Sequence, residues 1–121
     1  MVHADRNQFN NYRIDVRFGI KTKKMKKSFL ATDAKIPAAA LQALLKKGCD
    51  RSFNCVTVDS DTSTSDTVML FATGVAKHPR VPAEGGAVLK DFARALNEVL
   101  MDLALMVARD GEGAQKLIRI D

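Results

Sequence analysis

Between residues 88 and 107 the apolar side chains Val88, Leu89, Phe92, Leu96, Val99, Leu100, Leu103, Met106 and Val107 recur mostly at steps of three and four. That spacing follows the turn of an α-helix and lines them along one stripe. It predicts a helix over about 87–109, some 33 Å long at about 1.5 Å per residue and long enough to cross a sheet. A helix with one apolar stripe needs a second layer to bury it. What supplies that layer decides the fold.

Short strand-like runs supply it. YRIDVRFGI (12–20) alternates, with Ile14, Val16, Phe18 and Ile20 on one side and Arg13, Asp15 and Arg17 on the other. SFLATDA (28–34) and FNCVTV (53–58) are further strand candidates, and AQKLIRI (114–120) reads as a closing strand. TVMLFATG (67–74) is almost continuously apolar, which predicts a central strand covered on both faces. PAAALQALLKKG (37–48) reads as a second helix, with Pro37 in its first turn, lysines in its last and Gly48 as its stop. Residues 75–86, with two prolines and a Gly-Gly pair, form a loop, and Gly111 ends the long helix. Met101 and Met106 read as core filler rather than ligands. The resulting class is an α/β (α+β) sandwich, two helices packed on a mixed β-sheet.

A chain of 121 residues with 46% hydrophobic content fits one domain and needs no disulfide or metal to fold. It should bury roughly two-thirds of its unfolded surface. Cys49 and Cys55 match no zinc spacing, and His3 and His78 lie far from both in sequence. Reduced, partly buried thiols are expected, with no metal and no cofactor. No apolar run is long enough to span a membrane, and MVHADRNQFN lacks the apolar stretch of an export signal. The expected location is the cytoplasm.

The net charge of +5 is unevenly spread. Residues 1–27 hold eight basic residues against two acidic ones, and residues 28–121 hold eleven against twelve. The excess sits around KTKKMKK (21–27). Such a run could bind phosphates, but Phe9, Tyr12 and Phe18 are its only aromatic neighbours and no nucleic-acid motif accompanies it. A solvated basic segment is the expectation, and nucleic acid is not the expected partner.

VDSDTSTSDTV (58–68) gathers three aspartates and six hydroxyl residues behind an apolar run. Asp59 and Asp61 stand where an aspartyl phosphotransferase has its nucleophile and its acid–base. A calcium loop fits less well, because Leu70 stands where a bidentate glutamate belongs. Short Asp, Ser and Thr side chains also lock tight turns by bonding to nearby backbone N–H groups. On these residues alone, turn, metal and phosphoryl readings all stay open.

A longer comparison narrows them. SFLATDA, the LQALLKKG helix, SFNCVTVDSDTSTSDTVMLFATG, the long helix and DGEGAQKLI, in that order, resemble the ornithine acetyltransferase family, also called bifunctional glutamate N-acetyltransferase, of arginine biosynthesis. The resemblance covers residues 28–121 as a partial domain of the nucleophile-bearing half, and leaves 1–27 as a basic segment outside it. It implies a precursor that cuts itself before a threonine, whose hydroxyl takes acetyl from N-acetylornithine and passes it to glutamate. The oxyanion donors would come largely from the other fragment. The family loop is a scaffold element, so Asp59, Asp61, Thr62, Ser63, Thr64 and Asp66 are expected to lock turns. Glu112 of DGEG resembles the glutamate that touches the amino-acid substrate.

The departure falls at the nucleophile. Family members carry ATML just before the SFLATDA strand, and Met25 takes the threonine's place. Thr22 is three residues out of register. A thioether forms no acyl ester, so no catalytic residue is assigned. The resemblance therefore implies an acetyltransferase homologue inactive as this chain alone, with self-association or a companion chain covering its apolar surface. A non-catalytic interaction module with a basic arm for an acidic partner is the alternative.

Overall fold

The computed structural model describes residues 2–4, 14–22, 25–57, 66–79, 81–82, 87–111, 115–116, 118 and 120. Four strands form one mixed sheet in the order β1 (Val2–Ala4), β2 (Ile14–Thr22), β3 (Met25–Thr32) and β4 (Thr67–Ala72). The first two neighbours pair antiparallel, whereas β3 and β4 run parallel. Parallel neighbours need a crossover. Here α1 (Ala38–Asp50) lies between them in sequence and packs on β4. With α2 (Ala87–Arg109) it gives the expected α+β arrangement of two helices on a mixed sheet.

Alternation along the parallel pair defines the layers. Ser28, Leu30 and Thr32 of β3 are buried, and Val68, Leu70 and Ala72 of β4 pack against the core. Phe92, Leu96, Leu100 and Leu103 of α2 close it with essentially no exposure. Each such side chain contributes about 1.5–3 kcal/mol when fully buried. β2 joins the same sheet, with Ile14, Val16 and Phe18 in register with Thr32, Leu30 and Ser28. The pairing of β2 with β3 thus reaches Thr22 and Met25, inside the lysine run.

Four expectations need correction. β4 is the edge of the sheet among the described residues, and Met69 and Phe71 are 40% and 52% exposed. Its apolar continuity reflects two apolar faces, of which the described structure covers one. FNCVTV is not a strand over its described part. A tight 3-10 turn occupies Phe53–Cys55, and neither Val56 nor Thr57 joins a strand. The cause is local: Ser52 Oγ donates to the Gly48 carbonyl at 2.8 Å and Asn54 Nδ2 donates to Asp50 at 2.8 Å, so consecutive turns follow α1. Gly48 does not stop α1, which runs on to Asp50. Met101 and Met106 are 43% and 38% exposed, on the solvent side of α2.

The closing strand is not seen at Gln115, Lys116, Ile118 or Ile120, which are exposed and outside any strand. The other residues of AQKLIRI include some outside the described set. The helix over 87–109 is found with those bounds.

Candidate functional site

The nucleophile position of the resemblance maps to the first residue of β3. Met25 is paired across the hairpin with Thr22, in the middle of a continuous chain. Asp66 is exposed and immediately precedes β4. Asp59, Asp61, Thr62, Ser63, Thr64 and Glu112 lie outside the described residues. Among the described residues no group of three His, Cys, Asp or Glu side chains could hold a metal ion.

An open crevice of about 250 Å³ lies at the carboxyl ends of β3 and β4, lined by Ala34, Lys35, Ile36, Pro37, Ala72, Thr73 and Gly74. The ends of parallel strands are the usual place for a binding crevice. Its walls are tied by backbone bonds that extend the β3–β4 ladder: Thr73 N–H to the Thr32 carbonyl, 2.9 Å; Ala76 N–H to the Asp33 carbonyl, 2.8 Å; Val81 N–H to the Lys35 carbonyl, 3.3 Å. Ala34 N–H donates to Thr32 Oγ1 at 3.2 Å, which fixes the turn out of β3. Gly74 takes φ +73°, a left-handed conformation that glycine adopts without strain. Among the described residues that line it, Lys35 is the one with a titratable side chain.

Crevice and Met25 are at opposite ends of β3. The strand has eight residues, so seven steps separate its ends, about 23 Å at roughly 3.3 Å per residue. The crevice is therefore remote from the position that the resemblance makes reactive. α2 reaches Gly48, near the end of α1, by Asn97 and Leu100.

His78 is joined to the crevice lining through the backbone of Lys35. Its Nε2 accepts the Lys35 backbone N–H at 3.0 Å, and its Nδ1 lies 2.6 Å from the Pro79 carbonyl. No sequence pattern pointed to this bond, which joins residues 43 positions apart.

The cysteines sit at the far end of α1. Cys49 is half-buried and Cys55 exposed, both free. Burial, and then the neighbouring Asp50 carboxylate, raise the Cys49 thiol above its ordinary range. Asp50 itself is held below the usual carboxylate range, first by the hydrogen bond from Lys46 Nζ at 3.0 Å and then by that from Asn54. These are surface contacts around a helix end.

Comparison with known proteins matches residues 26–121 to the model of the ArgJ family. The arginine biosynthesis bifunctional protein ArgJ of Gluconobacter oxydans is 58% identical over 93 residues, covering 77% of this chain and 22% of that protein. Its counterpart in Nitrobacter winogradskyi is 56% identical over 96 residues, covering 77% of this chain and 23% of that protein. The crystal structure of the Bacillus halodurans protein of the same name superposes with a TM-score of 0.67 at 40% identity, over 76% of this chain and 42% of that one. The chain spans less than a quarter of the length of these two curated relatives. The family model covers most of the sequence, and a solved relative shares its fold: the chain belongs to the ArgJ family.

Proposed function

We propose that this chain is a partial ArgJ-family protein that, alone, does not carry out acetyl transfer from N-acetylornithine to glutamate. One observation carries the reading: residue 25, where the resemblance puts the acyl-accepting threonine, is a methionine inside the β2–β3 hairpin. Methionine has no hydroxyl to form the ester, and a residue at that point of a strand is not a chain terminus with a free amine. The family-like part is 28–121, with 1–27 a basic segment outside it. Glu112 is the position for contact with the amino-acid substrate. Arginine biosynthesis in the cytoplasm is the setting. No described helix is long and apolar enough to cross a membrane.

A companion chain, or a second copy, belongs to the reading. Met69 and Phe71 on the outer sheet face and Met101, Leu105 and Met106 on the outer side of α2 are exposed. Two apolar patches on one small domain mark surfaces that a partner covers.

The test incubates the purified chain with N-acetylornithine and glutamate and follows N-acetylglutamate by mass spectrometry. The expected result is formation at the buffer rate. Turnover above that rate, or an acetyl adduct on any side chain, overturns the reading.

A further inference from the structure

We propose that His78 is a proton-sensitive latch on the crevice at the carboxyl ends of β3 and β4. Its neutral ring holds the 73–81 segment against the connection between β3 and α1, and its protonation releases that hold.

The tautomer follows from the two partners. A backbone N–H only donates, so the Lys35 N–H at 3.0 Å requires a lone pair on Nε2. A carbonyl oxygen only accepts, so the Pro79 carbonyl at 2.6 Å requires a proton on Nδ1. Both conditions hold only for the neutral ring with its hydrogen on Nδ1. A proton added at Nε2 replaces the acceptor with a second donor facing Lys35 N–H. The bond is then lost, and the partly buried amide has no acceptor in that place.

The bond matters because of where it sits. Residues 73–81 lie along residues 32–35 through the amide bonds of Thr73, Ala76 and Val81, and His78 fills the gap between the last two. Of these four bonds, only that of His78 has a ring nitrogen rather than a carbonyl oxygen as its acceptor. Lys35, Ala34, Ile36 and Pro37 form one wall of the crevice, and Ala72, Thr73 and Gly74 form the other. Loosening the Lys35 bond therefore loosens the two walls relative to each other.

The charged described residues on the joined segments are Asp33, Lys35 and Lys77. The bond itself needs the lone pair of Nε2, so its hold is lost when that nitrogen carries a proton.

The test uses the full chain, labelled with ¹⁵N. Ring ¹⁵N shifts at about pH 8 should report the tautomer protonated on Nδ1. The exchange protection of the Lys35 amide, corrected for intrinsic rate and referred to Leu30 in the core, should fall about tenfold between pH 8 and pH 5. In His78→Gln, whose amide oxygen accepts without titrating, that ratio should stay level. A ring protonated on Nε2 at pH 8, or a Lys35 ratio that stays level in the unmodified chain, overturns the latch. Both of those readouts stand without the variant.

Discussion

Gly48 of α1 lies against Leu100 of α2 with no room between them: a methyl group on Gly48 would overlap Leu100 Cδ1 and come within 3.2 Å of Asn97 Oδ1. Both residues are buried, and α1 continues two residues past the glycine. The glycine permits this close approach of the two helices.

Gly48→Ala should therefore destabilise the chain although alanine is the better helix former. The helix gains up to about 1 kcal/mol from the exchange. Overpacking a filled core costs about 1–3 kcal/mol. The net expectation is a loss of about 1 kcal/mol, read from urea unfolding. Adding Leu100→Ala removes the obstructing methyl, so the cost of Gly48→Ala should shrink in that background. An unchanged cost in the double mutant would place the strain elsewhere.

Gly48 also shows what the sequence leaves open. A glycine near a helix end ends the helix or lets a neighbour approach, and only the partner distinguishes the two. The α2 stripe was legible because its signal is periodic along one element, and the helix occupies the expected bounds. FNCVTV misled because β-branched and apolar residues favour strands, whereas Ser52 and Asn54 satisfy local backbone and side-chain groups in turns. The exposure of β4 depends on what covers its second face, a property of other parts of the fold. The Met25 position was legible through a motif, but the bond between His78 and Lys35 has no sequence signature.

The outer face of β4 should govern association rather than folding. Val68, Leu70 and Ala72 pack on the core, and Met69 and Phe71 point away from it. Phe71→Ser, at a half-exposed site, should change stability by less than about 1 kcal/mol. It should also lower both the average mass in light scattering at high concentration and the binding of an apolar dye. Equal mass and equal dye binding in the variant would remove this face from the partner surface.

The two thiols should separate kinetically. Cys55 is exposed, while Cys49 is half-buried with its thiol shifted up by burial and by Asp50. Only the thiolate reacts, so limited alkylation near pH 8 should mark Cys55 first, followed by peptide mass spectrometry. The same shift has a sign for stability. A thiol that holds its proton more tightly when folded favours the fold less as pH rises past the unfolded value. Asp50→Asn removes the second cause of that shift, so it should quicken labelling of Cys49 while leaving its burial in place.

Opposite sides of α2 offer the clearest contrast. Phe92 is wholly buried among the core side chains, and Met101 on the same helix is 43% exposed. Phe92→Ala removes most of an aromatic side chain from the core cluster it shares with Leu30, Leu41, Leu96 and Leu100, and should cost about 3–5 kcal/mol. Against a total stability of about 5–15 kcal/mol, that loss is enough to leave a marginal domain partly unfolded at room temperature. Met101→Ala trades a half-exposed thioether for the best helix former, so its change should stay within about 0.5 kcal/mol. Urea midpoints for the two variants measure the difference directly, provided the slopes match. Equal midpoints would mean that α2 does not bury its Phe92 stripe in solution, and would remove the layer on which the crevice walls and the β3 position of Met25 are built.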